Sequence, residues 1–344
     1  MGAKIAVGIS GGVDSSVTAY LLKEKGFEVT GIWMDILGNP EASYDAAKVA
    51  EFLRIPFFRI DLEQEYRNHV ISYIKTEYVS GKTPNPCVFC NRFVKFGAFL
   101  DKALESGISF DYFATGHYAI LSHNKNTGRY SLKQGVSKEK DQVYFLSMLR
   151  QKQLKRLMFP LGGMEKKEVK EIAEEIGLFT AMKRESQDLC TGDYRQFITS
   201  GSEVGSFITR DGRVLGKHRG IEHYTIGQRR GLGISSSTEP YYVIEINPDQ
   251  NTIVLGFDVD LKNKGMTVSQ TNWFPFEKPE LPLKVLCKIR YRDSGSPAVI
   301  SSALPDGTYK VSFENYRRAI TPGQIAAFYQ EDELLGAGII TDYY

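Results

Sequence analysis

The stretch Gly8-Ile-Ser-Gly-Gly-Val-Asp-Ser-Ser16 constrains this chain more than any other, because it follows the apolar run Ile5-Ala6-Val7 and opens a helical pattern. Gly11 and Gly12 let the backbone approach an anion closely, while free N–H groups and the helix dipole face it. The dipole alone contributes only about 0.3–1 kcal/mol near a surface. The serine hydroxyls and a magnesium ion at Asp14 are therefore expected to add to it. The loop lacks the Gly-Lys-Ser/Thr ending whose lysine reaches terminal phosphates, so ordinary kinase or NTPase chemistry is not indicated. The competing reading is a plain strand-to-helix turn with Ser and Asp as N-cap residues.

Beyond the loop, Val17 to Lys25 reads as a helix with Ala19, Leu21 and Leu22 on its apolar side, closed by Gly26. A strand at Val29 to Met34, a helix from Tyr44 to Arg54 and a short strand at Phe57 to Ile60 follow. That alternation predicts an α/β fold, a doubly wound, mostly parallel sheet with its ligand at the carboxyl ends of the strands. Met34 then lines an adenine pocket or fills the core. Phe110 to Ala114 reads as a further strand, with Gly116 permitting close nucleotide approach and His117 taken as a hydrogen-bonded structural histidine. Helical patterns at Val143 to Met158 and Glu165 to Ile176, the latter closed by Gly177, complete a first domain over 1–197. Past that point segments are short, Gly-punctuated and alternating, with hairpin strands at Tyr241 to Ile246 and Thr252 to Leu255. They predict a small linking domain over 198–263 and an all-β barrel over 264–344.

A chain of 344 residues accommodates two or three such cores, and 42% hydrophobic with 24% charged residues reads as an ordinary soluble protein. The net charge of +2 means that a nucleic-acid partner must be argued from local basic clusters. The first residues carry no secretory apolar region, Ala6 stands where myristoylation wants Ser or Thr, and no apolar run approaches membrane-spanning length. A cytoplasmic, monomeric protein without a membrane partner is expected, with four cysteines suited to reactivity or metal binding rather than a disulfide framework.

Thr83-Pro-Asn-Pro-Cys-Val-Phe-Cys-Asn91 is the second informative stretch. Pro84 and Pro86 hold the backbone extended, and Asn91 is expected to cap a helix running to Ser106. Cys87 and Cys90 then precede a helix N-terminus, which lowers a thiol pKa from its ordinary ~8.5. The pair alone reads equally as a redox dithiol, half a metal site or two packed thiols. Cys190 lies in a loop, and Cys287 alternates with Val285, Ile289 and Tyr291 on one face of a strand, so core packing is expected for it. The other face of that strand carries Lys284, Lys288, Arg290 and Arg292. A second basic cluster comprises Arg213, Lys217, His218, Arg219, His223, Arg229 and Arg230. Two basic patches on two domains suit a structured RNA better than a metabolite.

Ser10-Gly-Gly-Val-Asp-Ser15 resembles the loop of the ATP pyrophosphatases, which split ATP to AMP and pyrophosphate and adenylate a substrate oxygen. Together with Thr83-Pro-Asn-Pro-Cys-x-x-Cys-Asn91, Ala114-Thr-Gly-His-Tyr118, Lys140-Asp-Gln142, Phe159-Pro-Leu-Gly162, Ser186-Gln-Asp-x-Cys190, Tyr224 to Leu232 and Thr321-Pro-Gly-Gln324, it resembles the tRNA-specific 2-thiouridylases. That resemblance implies ATP-dependent adenylation of the wobble uridine at its 2-carbonyl oxygen, replacement of the oxygen by sulfur, and tRNA plus a sulfur donor as partners. It also implies ATP binding by Gly8, Ile9, Ser10, Gly11, Gly12, Val13, Asp14, Ser15, Met34 and Gly116. Asn85, Pro86 and Cys87 would meet the target base, and Lys140, Asp141, Gln142, Arg290 and Tyr291 would contact tRNA. Cys90 matches the family's nucleophile and Cys190 its persulfide carrier, the two closing a disulfide as sulfur is delivered. Another adenylating enzyme of the same loop family, or an RNA-binding protein that keeps the loop without catalysis, are the rival readings.

The chain departs from the family's pattern in three places. Many members have Asp where Cys87 stands, and members with Cys there resemble chains equipped to hold a 4Fe-4S cluster through Cys87, Cys90 and Cys190. The segment between Met34 and Tyr44 is short, and Cys190 is followed by Thr-Gly-Asp rather than by Phe and a longer loop.

Overall fold

The computed structural model describes residues 2–181, 197, 203–237 and 239–344. β1 (Lys4–Gly8), β2 (Glu28–Asp35) and β3 (Phe57–Asp61) alternate with α1 (Val13–Glu24) and α2 (Tyr44–Leu53). With β4 (Tyr112–Ala114) and β7 (Leu157–Met158) they form a sheet of order β3-β2-β1-β4-β7 in which every neighbouring pair is parallel. Ile5, Ala6 and Val7 of the central strand are buried, as befits a parallel strand covered on both faces. The strand order reverses at β1, between β2 and β4, which is where an open α/β sheet leaves a crevice at its carboxyl edge.

Several elements differ from their expected extents. α1 starts at Val13 rather than Val17, with Gly12 as N-cap, so the glycine-serine loop is itself the first turn of the helix. Asp14, Ser15 and Ser16 have low helix propensity, and so their part of the helix carries no pattern. The expected helix from Val143 to Met158 is broken into α7 (Val143–Leu146), α8 (Gln151–Leu154) and strand β7. The barrel residue Asn272 causes the break, donating from Nδ2 to the carbonyls of Ser147 at 3.0 Å and Leu149 at 2.7 Å. α9 (Lys166–Glu175) follows as expected, and Gly177 beyond it takes φ +71°.

Between β3 and β4 run α3 (Glu63–Tyr66), α4 (Ser72–Val79), α5 (Pro86–Phe89) and α6 (Phe99–Glu105). The turns widen to π-helical spacing at Arg67–Ile71 and again at Cys90–Ala98. The expected cap at Asn91 is overturned. Asn85 caps α5 instead, its Oδ1 accepting from Val88 N at 3.3 Å, with Pro86 in the first helical position where its missing N–H costs nothing. Asn91 turns inward and donates to the carbonyl of Phe145.

The linking region forms a four-stranded sheet from β8 (Gly205–Ile208), β9 (Val214–His218), β10 (Tyr242–Asn247) and β11 (Thr252–Gly256), in the order β10-β11-β8-β9. The predicted hairpin is its β10–β11 pair. The barrel comprises β12 (Lys262–Trp273), β13 (Leu283–Lys288), β14 (Ser296–Ala303), β15 (Tyr309–Arg318), β16 (Ile325–Gln330) and β17 (Glu333–Tyr343). It closes through the β12–β17 pairing, and β17 also pairs with β6 (Arg129–Gln134), which forms a hairpin with β5 (Ala119–Asn124). The N-terminal α/β region thus lends a hairpin to the barrel wall, an arrangement that the polar sequence of those two strands did not announce. Cys287 lies in the barrel core, where burial pushes its thiol pKa up. Tyr291 does not share that inward face: β13 ends at Lys288, and the turn beyond it carries Tyr291 outward. Among the described residues no helix is long and apolar enough to cross a membrane.

Candidate active site

A cavity of about 430 Å³ opens at the carboxyl ends of β1, β2 and β4. Gly8, Ile9, Ser10, Asp14, Ser15, Met34 and Gly116 line it, with Lys95, Thr115, His117 and Gln142 completing the wall. Gly11, Gly12 and Val13 lie behind this surface. At Gly11, with φ +78°, a Cβ would come within 2.6 Å of Asp45 Cβ, so this glycine serves the packing of the loop on α2. Gly116 has a related role: its missing Cβ makes room for the backbone of Asp14 and Ser15, 2.8–2.9 Å from where that atom would stand. Strand end and helix start can therefore meet at the cavity floor.

The loop hydroxyls knit the turn together. Ser15 Oγ accepts from Ser10 N at 3.1 Å and donates to the carbonyl of Gly12 at 3.1 Å, to which Ser16 Oγ also donates at 2.8 Å. Asp14 Oδ1 accepts from Tyr118 OH at 2.8 Å and from Lys166 Nζ at 2.6 Å. The loop has no lysine of its own, and a nearly buried one reaches it from the start of α9. Asp35, fully buried at the end of β2, accepts from Leu37 N, Asn39 N and Arg59 Nε, which closes the short segment between β2 and α2. His117 bonds through Nδ1 to Thr115 Oγ1 at 2.7 Å. Burial, and then the charge of Lys95, hold its pKa well below the ordinary value, so it is neutral at neutral pH.

Cys87 and Cys90 are half-buried, on α5 and at the head of the wide-turned segment that follows. Aromatic rings brace this helix: Tyr73 stacks on Phe89 with centroids 3.6 Å apart, and His69 stacks on Phe93, over which Arg92 also lies. Cys190 and its flanking motif lie outside the described residues. Among the described residues no group of three His, Cys, Asp or Glu side chains is arranged to hold a metal.

The chain leading into α5 is held by both other regions. Thr83 N donates to the carbonyl of Pro322, Gln324 Nε2 donates to the carbonyls of Thr83 and Pro84, and Thr83 Oγ1 donates to Thr225 Oγ1. Tyr144 shares a side-chain hydrogen bond with Asn85 and donates its own to the carbonyl of Ile325 at 2.9 Å. Tyr291 OH reaches the carbonyl of Asp141 at 3.3 Å, and its ring lies 4.3 Å from that of Phe145. Burial and the Asp141 charge raise its phenol pKa.

Three sequence segments expected to share one partner, around Asn85, Gln142 and Tyr291, are thus brought together through Asp141, Tyr144 and Phe145, and Gln142 among them lines the cavity. Asp141 itself is buried, its carboxylate accepting from Gln134 Nε2, Gly135 N and Val143 N, and Gln142 Oε1 accepts from Tyr118 N at 3.2 Å. Arg290 stands exposed beside Tyr291. Sequence reasoning passed over Lys95, Lys166 and Asp35. The only signal for the lysines was the cation that the loop lacks, and nothing in a one-dimensional pattern said which lysine would supply it.

Three family models match in order: the tRNA methyl transferase HUP domain over residues 3–192, the tRNA methyl transferase PRC-barrel domain over 196–257, and the aminomethyltransferase beta-barrel domain over 263–340. A relative from Clostridium botulinum (strain Loch Maree / Type A3), named tRNA-specific 2-thiouridylase MnmA 1, is 43% identical over 98% of this chain and 99% of its own length. One from Acetivibrio thermocellus, named tRNA-specific 2-thiouridylase MnmA, is 43% identical with the same coverage. One from Caldanaerobacter subterraneus subsp. tengcongensis is 45% identical over 98% of this chain and 97% of its own. Matched by these relatives and family models along nearly its whole length, the chain belongs to the tRNA-specific 2-thiouridylase family of tRNA sulfurtransferases.

Proposed function

We propose that this protein binds ATP in the cavity at Gly8–Ser15, adenylates the 2-carbonyl oxygen of the wobble uridine of tRNA, and exchanges that oxygen for sulfur through its cysteines. The observation that carries the reading is a shared wall: Lys95, which lines the cavity, belongs to the same Cys90–Ala98 segment that begins with Cys90. Activation and sulfur delivery then occur across one helix. An unactivated uracil carbonyl is a poor electrophile, and AMP is a good leaving group, so adenylation supplies what the thiols alone lack.

In this reading Gly8 to Ser15, Met34 and Gly116 hold ATP, and Asp14 is the carboxylate that a magnesium ion carried by the phosphates would meet. Asn85 to Cys87 present the base, and Lys140, Gln142, Arg290 and Tyr291 hold the tRNA, within domains spanning 1–197, 198–263 and 264–344. Cys90 is the nucleophile and Cys190 carries the persulfide sulfur. Cys87 and Cys90 supply two of the three thiolates that a 4Fe-4S cluster would need, and no step is drawn through iron. The protein works in the cytoplasm, as a monomer, with a separate sulfur donor.

The test is reconstitution with ATP, unmodified tRNA, a persulfide donor and a thiol reductant that reopens the disulfide, reading 2-thiouridine, AMP and pyrophosphate together. Equal release of AMP and pyrophosphate with one thiouridine per turnover is expected. Loss of thiolation but not of adenylation is expected in Cys190→Ala, and a variant that thiolates like wild type would remove Cys190 from the mechanism. Iron and sulfide analysis after anaerobic purification decides the route, since a fully active metal-free enzyme leaves the persulfide alone.

A further inference from the structure

Charge in the cavity is unevenly matched. Its two carboxylates already have cations: Asp14 is bonded to Lys166, and Asp35 to Arg59. Lys95 is the cation among the lining residues, and no hydrogen bond or ion pair joins it to another described residue. It lines the cavity together with Gly116 and His117. Its direction is fixed from both sides, since Val94 and Phe96 on either side of it are buried. Gln153 holds the widened turn open, donating from Nε2 to the carbonyls of Arg92 and Phe96 at 2.8 Å each. At π-helical spacing residues five apart lie over one another, so Lys95 and Cys90 share a helix face.

We propose that Lys95 is a catalytic residue that contacts the α-phosphate of the bound nucleotide, first as ATP and then as the departing AMP. This rests on the reading of the cavity as the ATP site and adds a role that the loop residues do not fill. As the carbonyl oxygen bonds to the α-phosphorus, the bond to the bridging oxygen breaks and pyrophosphate leaves with that electron pair, the uridine N3 proton passing to solvent. When the outer sulfur of the Cys190 persulfide adds at carbon 2, AMP leaves with the carbon–oxygen pair, and the Cys90 thiolate then attacks the Cys190 sulfur, breaking the sulfur–sulfur bond to free the thiouridine and closing a disulfide. The α-phosphate is anionic in both steps, and one ammonium in the cavity lining compensates it in both. Lys166 is spoken for by Asp14, so the two lysines divide the task that a single loop lysine performs elsewhere.

The experiment compares AMP and adenosine binding to the intact enzyme by calorimetry, for wild type, Lys95→Met and Lys95→Arg. Lys95→Met is expected to weaken AMP about ten- to hundredfold, the cost of one charge-assisted contact, with adenosine affinity unchanged. Lys95→Arg is expected to recover most of the AMP affinity. AMP bound as tightly by Lys95→Met as by wild type would overturn the proposal, and so would an equal loss for adenosine, which marks a merely structural lysine. Wild-type thiolation of tRNA is measured in parallel. A wild type that binds AMP through Lys95 yet makes no thiouridine would sink the proposed function and leave this contact standing.

Discussion

At the scale of single residues, the Asp14 carboxylate is the centre of a small polar cluster that ties the loop to Tyr118 and α9. Because Lys166 is nearly buried while Asp14 is about a third exposed, removing the acid strands an ammonium. Asp14→Asn is expected to cost roughly 1–3 kcal/mol in urea unfolding, and Lys166→Met in the same chain to restore part of it, as a double-mutant cycle would show. His117 acts in the opposite sense. Its folded pKa is depressed, so its contribution to stability is present above the unfolded value of about 6.5 and is lost as pH falls below it. Urea midpoints of wild type should drop more between pH 7 and pH 5 than those of His117→Gln, and identical slopes would show that His117 is not the titrating group. The sequence already marked His117 as structural and Asp14 as part of the loop. It was silent on their partners, because Asp14 and Lys166 are separated by 152 positions.

At the scale of elements, the strand and helix alternation of the first half was legible, since buried parallel strands are short apolar runs punctuated by glycine. The cysteine helix was legible in existence and misplaced at its start. In the sequence Pro86 reads as holding the backbone extended, whereas at the first helical position its ring fits and Asn85 ahead of it caps. Asn85→Ala is expected to lower stability by about 1 kcal/mol and Asn85→Asp by less, because the aspartate oxygen still caps. Thermal unfolding of both variants decides the point. The broken helix at 147–150 could not be read locally, because the donors that end it come from Asn272 in the barrel. Gly116→Ala sets a methyl against the backbone of Asp14 and Ser15 and is expected to weaken nucleotide affinity tenfold or more, read by ATP titration.

At the scale of the whole molecule, three regions meet at Thr83 and Pro84. Gln324 serves both of their carbonyls, and Gly323 lies so close to Thr83 that a Cβ there would meet its backbone at 2.9 Å. Gln324→Ala is expected to raise hydrogen exchange through residues 83–90 while leaving the barrel core, Cys287 and Phe328 among it, protected. Equal exchange in both regions would show that the clamp does not act locally. None of this coupling was visible in the sequence, where the barrel read as a separate unit.

The strand that closes the barrel has a consequence for how the protein is born. β17 pairs with β16 along one edge and with β6 and then β12 along the other, and it follows every element that it joins. A ribosome delivers the phosphate loop hundreds of residues before the strand that locks the borrowed hairpin and the cysteine approach into place. The nucleotide cradle can fold early on its own sheet. The wall that would carry sulfur is fastened only after β17 has been made, so a nascent chain holds its cradle before it has a working centre.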